Sequence, residues 1–159
     1  MPEDVKGNLK LELTWTILPI ILLIVLAVPT IAITYNQSPK MAAEADDGID
    51  IGVAAQQFTW TFSQPNGKTD QNKLVLPEGE DVTLHLSSKD VIHSFWVPAL
   101  AGKIDAIPGR TVTYEIKHLQ KGTYRGKCAE YCGTQHTNMV FEVQVVSKKA
   151  YQKYLKEMK

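Results

Sequence analysis

The amino-acid sequence predicts an all-β domain, a sandwich or barrel, that follows a single transmembrane helix. The helix is indicated by residues 13–35, a stretch of 23 residues without a charge. The β-domain is indicated by short runs of alternating apolar and polar residues, separated by turn-forming residues, from position 49 onward. With 159 residues, the chain has room for one domain of ordinary size beside that helix.

The apolar stretch is long enough to cross a bilayer, because a helix of that length spans ~34 Å and a hydrocarbon core is ~30 Å thick. Trp15 and Tyr35 lie near its ends, where aromatic rings favour the membrane interface. Pro19 and Pro29 are tolerated in a membrane helix that packs against others, so we expect a larger membrane partner. A cleaved signal peptide is the alternative, although its apolar core is usually only ~7–15 residues long.

The distribution of lysines predicts the orientation of that helix. Lys6 and Lys10 precede the apolar stretch, and Lys40 follows it. Since positive residues are retained in the cytoplasm, we expect the β-domain on the outer or periplasmic side of a bacterial cell membrane. The predicted segments are a cytoplasmic N-terminal segment 1–12, a transmembrane helix 13–35, a linker 36–48, a β-domain 49–147 and a C-terminal basic helix 148–159.

Alternation within the β-domain predicts eight strands. Val82, Leu84 and Leu86, for example, alternate with polar residues, which indicates a strand with one buried face. Between such runs, residues 65–67 (Pro-Asn-Gly) and 77–79 (Pro-Glu-Gly) have the composition of turns. The predicted strands are 49–54, 58–62, 73–76, 82–87, 93–97, 112–117, 124–128 and 140–146.

Composition excludes several classes of function. The 17 basic and 17 acidic residues give a net charge of zero, so no nucleic-acid partner is indicated. Two cysteines are too few for a disulfide framework, although one strained disulfide between Cys128 and Cys132 is an alternative. The sequence contains no recognisable nucleophile–base pair, carboxylate pair or phosphate-binding loop, so no catalytic residue is predicted.

Residues able to bind a metal concentrate between positions 128 and 139. Cys128, Cys132, His136 and Met139 place two thiols, an imidazole and a thioether within twelve residues. Soft sulfur donors suit Cu(I), and imidazole suits copper in both oxidation states. The loop therefore offers a set of ligands that copper prefers, and we expect one further ligand from elsewhere in the chain.

His93 is the histidine expected to complete this site. It lies in an otherwise apolar run over residues 90–98, where an imidazole needs a partner. His85 lies on the polar face of an alternating strand, and His118 ends a strand beside lysines. These two are predicted to be surface histidines.

Three kinds of metal site are compatible with these ligands. Tetrahedral zinc would use both cysteines and both histidines, but the C-x3-C spacing is unusual for zinc and Met139 would have no role. A mononuclear blue-copper site would leave one cysteine unexplained. Two copper ions that share Cys128 and Cys132, with one histidine on each copper, use every ligand. An electron spread over two coppers changes each bond only slightly, so such a site suits electron transfer.

Four separated motifs resemble subunit II of the haem-copper cytochrome c oxidases. They are residues 12–16 with Pro19, 90–94, 105–110, and 128–133 with His136 and Met139. The resemblance implies a cupredoxin-like Greek-key β-sandwich with a binuclear copper centre, CuA. It also implies that CuA accepts electrons from cytochrome c and passes them to the haem of subunit I. Oxygen would be reduced to water there, with proton pumping, so this subunit would be a non-catalytic part of the oxidase.

The resemblance implies a role for each ligand. Six groups would bind copper, five side chains and one backbone carbonyl: His93, Cys128, Cys132, His136, Met139 and the carbonyl of Glu130. The two thiolates would bridge the coppers. His93 and Met139 would complete one copper, and His136 with the Glu130 carbonyl would complete the other.

The resemblance further implies contacts with other membrane subunits. The side chain of Glu130 would reach a magnesium ion at the boundary with subunit I. Asp105 and Arg110 lie in the 105–110 motif, which would face subunit I on the way to its haem.

The sequence also departs from the family pattern. The usual Gln-Trp-x-Trp motif reads Gln-Phe-Thr-Trp over residues 57–60, so the electron-input residue is open among Phe58, Trp60 and Trp96. The family usually has two transmembrane helices before its β-domain, and this sequence has one. Truncation, a split gene and a genuinely short form are three alternative explanations of this difference. It contains no Cys-x-x-Cys-His haem motif, so the donor is expected to be a separate cytochrome c or a domain lost with a truncated end.

Three other functions are compatible with the motifs. A membrane-tethered copper carrier would deliver metal rather than electrons, and a mononuclear cupredoxin would use a single copper. An oxidase subunit that takes electrons directly from quinol is the third, although such relatives tend to lack the copper ligands.

Overall fold

The computed structural model describes residues 7–37, 48–100 and 102–157. Over these residues the chain forms two compact units, a long N-terminal helix and a β-domain. The predicted order of one apolar helix before an all-β domain is confirmed. Residues 1–6 of the predicted N-terminal segment and residues 38–47 of the predicted linker lie outside the described residues.

Helix α1, Leu9–Gln37, contains the whole predicted transmembrane stretch and begins before it. The side chain of Asn8 caps its start, because Oδ1 accepts hydrogen bonds from the N–H groups of Lys10 at 3.1 Å and Leu11 at 3.3 Å. Its residues Leu9–Tyr35 are long and apolar enough to cross a membrane by length and composition.

Two five-stranded sheets form the β-domain. In spatial order the first contains β3 (Thr69–Gln71), β2 (Thr59–Ser63), β1 (Ile49–Gln56), β5 (Val82–Ser88) and β8 (Val112–Ile116). The second contains β4 (Lys73–Pro77), β10 (Val140–Val146), β9 (Gly122–Cys128), β6 (His93–Trp96) and β7 (Ile104–Ala106). Strands β1 and β5 are parallel, as are β4 and β10, and the other pairs are antiparallel.

The predicted sandwich is confirmed, but the described residues form ten strands instead of eight. Strands β3 and β7 were missed because each has three residues, too few for alternation to be recognised, and each lies at the edge of a sheet. The prediction that Phe58 begins a strand was wrong, since it lies in the turn between β1 and β2. Strand β9 begins at Gly122, earlier than predicted.

The inner faces of the two sheets meet in an aromatic core. Trp60 and Phe62 come from the first sheet and Phe95 and Phe141 from the second, and none is more than 3% exposed. The rings of Phe95 and Phe141 stack with centroids 4.8 Å apart. Gly126 on β9 leaves room for this packing, because a Cβ there would lie 2.1 Å from the Phe141 ring. The core therefore fixes β6, β9 and β10 relative to one another.

Helix α2, Lys148–Lys156, lies within the predicted basic segment 148–159 and ends before Glu157, and residues 158–159 lie outside the described part. Ser147 caps its start by accepting a hydrogen bond from the N–H of Ala150 at 3.3 Å. Buried Tyr151 donates a hydrogen bond to Gln64 Oε1 at 2.6 Å. The hydrogen bond between Tyr151 and Gln64 attaches the helix to the β-domain.

Candidate metal centre

The candidate ligands meet at one end of the second sheet. Because β6 pairs antiparallel with β9 and Phe95 lies opposite Cys128, His93 is brought to the end of β9. Beyond Cys128 the chain passes through a short 3-10 helix, His136–Asn138, and returns as β10. The N–H of Cys128 donates to the carbonyl of Met139 at 2.9 Å, which closes the loop.

Three sulfur atoms form the centre of the site. The Sγ of Cys132 lies 3.9 Å from the Sγ of Cys128 and 3.7 Å from the Sδ of Met139. All three side chains are at most 4% exposed. The cysteines are free, and their separation is nearly twice the ~2.05 Å of a disulfide bond, so the disulfide alternative does not describe this structure.

Two imidazoles flank the sulfur atoms. The Nδ1 of His93 lies 3.9 Å from the Sγ of Cys128, and the Nδ1 of His136 lies 3.5 Å from the Sγ of Cys132. His93 is fully buried, whereas His136 is half-buried beside the exposed ring of Tyr131, with centroids 5.8 Å apart. One histidine thus belongs to the interior and the other lies near solvent.

Glu130 brings a backbone oxygen to the same cluster. The Sγ of Cys128 lies 3.2 Å from the Glu130 carbonyl oxygen, close enough for both atoms to contact one metal ion. The side chain of Glu130 is exposed to solvent and therefore lies apart from the buried sulfur atoms. Its assignment to magnesium stays a prediction.

Asp90 orients His93. Its Oδ1 lies 2.8 Å from His93 Nε2, and its carboxylate also accepts hydrogen bonds from the N–H groups of Gln57 and Val91, each at 2.7 Å. Partial burial disfavours the carboxylate, but these hydrogen bonds and His93 outweigh burial and lower the pKa of Asp90. The carboxylate therefore favours the proton on Nε2 and leaves the Nδ1 lone pair for a metal.

The spacing of these donors fits metal binding. With bonds of ~2.3 Å to sulfur and ~2.0 Å to nitrogen, two sulfur donors on one metal lie at most ~4.6 Å apart, and a sulfur–nitrogen pair ~4.3 Å. The sulfur–sulfur distances of 3.9 and 3.7 Å and the sulfur–nitrogen distances of 3.9 and 3.5 Å all fall below these limits. The ligand atoms of His93, Cys128 and Cys132 lie within 4.8 Å of one another. Three sulfurs and two imidazoles make this a candidate copper site.

The metal-free site favours the neutral form of the Cys132 thiol. Burial raises the pKa of the Cys132 thiol to about 12, and the neighbouring Cys128 acts in the same direction. Because a thiolate rather than a thiol binds metal, a metal that enters here must displace the proton of Cys132.

The three predicted electron-input residues lie in different surroundings. Phe58 is half-buried and packs on the metal loop, because a Cβ on Gly133 would lie 3.2 Å from its ring. Trp60 is fully buried, with its ring centroid 6.1 Å from that of His93. Trp96 is half-buried, and the Nζ of Lys127 lies 4.8 Å from its ring centroid. Phe58 thus combines partial exposure with packing against the loop.

The residues predicted to face subunit I lie outside the donor cluster. Asp105 is on edge strand β7, opposite Ser94, and its Oδ1 lies 3.5 Å from the Nζ of Lys103. Arg110 is exposed in the turn after β7. Their contact with subunit I stays a prediction.

The other two histidines lie away from the cluster. His85 is on β5 of the first sheet, is 40% exposed, and has its Nε2 2.7 Å from Asp50 Oδ1. His118 is exposed beyond the end of β8. The prediction that both are surface histidines is confirmed.

Sequence reasoning missed two residues that contact the ligands. Asp90 hydrogen-bonds to His93 three positions along the chain, a spacing that the sequence could have indicated. The Nε2 of Gln57 donates to the carbonyl of Cys132 at 2.6 Å. That contact spans 75 positions, so no local pattern could have indicated it.

Comparison with known proteins relates this chain to one family of membrane oxidase subunits. The family model for the periplasmic domain of cytochrome c oxidase subunit II matches residues 51–146. The chain is 42% identical to cytochrome c oxidase subunit 2 of Alkalihalophilus pseudofirmus, over 99% of this chain and 47% of the relative. It is 32% identical to quinol oxidase subunit 2 of Bacillus cereus, over 99% of this chain and 55% of the relative. The chain thus spans about half the length of these curated relatives.

A solved structure shares the fold of the β-domain. The periplasmic domain of cytochrome oxidase subunit II of Bradyrhizobium japonicum superimposes with a TM-score of 0.66 at 29% identity. The match covers 72% of this chain and 94% of that domain. The predicted cupredoxin-like sandwich is confirmed.

Proposed function

Since this chain belongs to the cytochrome c oxidase subunit II family, we propose that it is the electron-input subunit of a haem-copper oxidase. Its β-domain would hold the binuclear copper centre CuA, with a cytochrome c as donor and the haem of subunit I as acceptor. Oxygen reduction to water and proton pumping would belong to subunit I, and this subunit would be non-catalytic.

The observation that carries this proposal is the donor cluster. Six donor atoms converge at the end of β9, with neighbouring separations of 3.2 to 3.9 Å. Cys128 and Cys132 would bridge the coppers. His93 and Met139 would complete one copper, and His136 with the carbonyl of Glu130 the other. A bound copper pair supplies a group that gains and loses one electron with little change in its bonds.

The protein supplies a rigid and dry environment for that pair. His93, Cys128, Cys132 and Met139 are nearly or fully buried, so they exclude water from the site. Asp90 keeps His93 in one orientation. A site that cannot rearrange loses little energy to reorganisation when its charge changes, which is the property that electron transfer requires.

Electrons would arrive through an aromatic group near the loop. Phe58 has the required exposure and contact with Gly133, so we propose it as the input residue. Trp60 lies behind His93 in the core and fits a packing role, whereas Trp96 lies on the outer face of the second sheet.

The remaining surface near the cluster is proposed to face the membrane subunits. Asp105 and Arg110 would contact subunit I, and the exposed carboxylate of Glu130 would share a magnesium ion with it. Residues 13–35 would cross a bacterial cell membrane, with residues 1–12 in the cytoplasm and a linker over 36–48. The β-domain, 49–147, and the basic helix, 148–159, would lie on the outer side.

Two alternative functions are less well supported by the site. A copper carrier needs metal that exchanges readily, whereas the sulfur ligands here are at most 4% exposed. A quinol oxidase subunit is suggested by the relative from Bacillus cereus. The complete set of copper ligands in this chain favours cytochrome c as the donor instead.

The proposed function is tested by purifying the full chain from its membrane through an affinity tag. We expect a haem-containing membrane subunit to co-purify, and reduced cytochrome c to transfer electrons to the complex. Control membranes carrying the Cys132→Ser variant should retain the haem subunit but lose rapid electron uptake. Oxidation of quinol, with none of cytochrome c, would contradict the proposal.

A further inference from the structure

Gln57 contacts both halves of the candidate metal centre. Its backbone N–H donates to Asp90 Oδ2 at 2.7 Å, and the other carboxylate oxygen of Asp90 holds His93. Its side-chain Nε2 donates to the carbonyl of Cys132 at 2.6 Å. One residue therefore joins the segment that carries His93 to the loop that carries the cysteines.

Gln57 and its neighbour Phe58 also pack closely against Gly133 of the metal-binding loop. Gly133, next to Cys132, has a φ of +130°, a value that favours glycine. A Cβ at this position would lie 3.0 Å from the Nε2 of Gln57 and 3.2 Å from the ring of Phe58. The turn at residues 57–58 thus lies directly against the loop, and a side chain at position 133 would push the two apart.

The loop depends on few other anchors between its two cysteines and the 3-10 helix. The N–H of Ala129 donates to Ser94, and the N–H of His136 donates to Gly133 within the loop. Among the hydrogen bonds of the described residues, the one from Gln57 ties Cys132 to the turn between β1 and β2 of the first sheet. The position of the Cys132 thiol relative to Cys128 and His93 therefore depends on Gln57.

We propose that Gln57 is a positioning residue that pre-arranges the metal ligands before copper binds. It holds Cys132 and Gly133 against the turn while Asp90, anchored to the same residue, holds His93. The identity of the metal rests on the proposed function, but the positioning is a property of the metal-free chain and can be tested there.

The test uses the full chain in detergent with Gln57→Met, which preserves side-chain length and removes the donor. Gln144→Met is the matched control, because Gln144 Nε2 donates to Glu142 on β10, outside the cluster. Hydrogen exchange in residues 128–139 of the metal-free protein should become about tenfold faster in Gln57→Met and stay unchanged in Gln144→Met. Gln57→Glu, which also lacks the donor, supplies the same test if Gln57→Met does not fold.

Copper binding gives the second readout. The affinity for Cu(I), measured by competition with a chromophoric chelator, should fall about tenfold in Gln57→Met. The EPR hyperfine pattern of copper-loaded Gln57→Met should also differ from that of the unaltered chain. The melting temperature of Gln57→Met should match that of the Gln144→Met control.

The outcomes separate this inference from the proposed function. Loop exchange and Cu(I) affinity equal to those of the unaltered chain would overturn the positioning role. An unaltered chain that binds no copper would overturn the proposed function, while the exchange experiment on the metal-free chain would still decide the role of Gln57.

Discussion

Asp90 Oδ1 lies 2.8 Å from Nε2 of the fully buried His93, and the opposite nitrogen of that ring faces the Sγ of Cys128 at 3.9 Å. A second pair, Asp50 and His85, has almost the same separation of 2.7 Å but lies exposed on the other sheet. The chain therefore contains a functional candidate and an internal control with the same chemistry.

The first prediction concerns this pair. In Asp90→Asn the neutral amide holds the His93 ring less firmly, so the affinity for Cu(I) should fall about 10- to 100-fold. Competition with a chromophoric chelator measures the change. Asp50→Asn should leave the affinity unaltered, and equal affinities in both variants would show that Asp90 does not orient a ligand.

The second prediction concerns Met139. Its thioether is fully buried 3.7 Å from the Sγ of Cys132, in the position of a weak ligand. Met139→Leu should keep both coppers, because the thiolates and imidazoles remain, but it should shift the reduction potential, which a weak ligand tunes. Voltammetry of the loaded protein measures the shift, and an unchanged potential and spectrum would exclude Met139 as a ligand.

The third prediction concerns the core beneath the site. Gly126→Ala places a Cβ 2.1 Å from the Phe141 ring, so it should lower the free energy of unfolding by about 1–3 kcal/mol. Gly102→Ala is the control, because its Cβ would lie 3.9 Å from Tyr114 Oη, an ordinary contact. Denaturant unfolding of both variants measures the difference. Equal free energies of unfolding in the two variants would mean that β9 and β10 can move apart at position 126 without loss of stability.

The fourth prediction concerns α2 at alkaline pH. Burial raises the pKa of Tyr151 from 10.0 to about 12, and burial with a hydrogen bond to Asp70 also raises the pKa of Tyr154. Folded pKa values above the unfolded ones mean that the protonated phenols stabilise the fold. This stabilisation is fully present below pH 10 and is lost as the pH rises through about 12.

We therefore expect α2 to detach from the β-domain across that alkaline interval, as followed by tyrosine absorbance and hydrogen exchange in residues 148–156. Tyr151→Phe removes one of the titrating groups and should weaken the transition. An α2 that stays protected through pH 12 in the unaltered chain would contradict this account.

Much of the architecture could be predicted because its signals are local. The apolar stretch over residues 13–35 and the alternation at Val82, Leu84 and Leu86 both follow from short-range periodicity. Strands β3 and β7 could not be found this way, because three residues carry no period and the sheet edges that hold them are defined by distant neighbours.

The candidate site shows the same division. Four ligands lie within twelve residues of the sequence: Cys128, Cys132, His136 and Met139. The apolar sequence around His93 indicated that its imidazole needs a partner. The hydrogen bond from Gln57 to the carbonyl of Cys132 depends instead on the packing of the two sheets, because it joins residues 75 positions apart. Local patterns therefore indicate which atoms bind the metal, while tertiary packing determines what holds those atoms in place.

The most direct test of the central claim is the copper content and EPR spectrum of the copper-loaded chain. We predict two coppers for each chain and a spectrum in which one unpaired electron is shared between both nuclei. Cys128→Ser and Cys132→Ser should each abolish this spectrum. A colourless protein with one tightly bound zinc, or one copper with an unshared electron, would contradict the account.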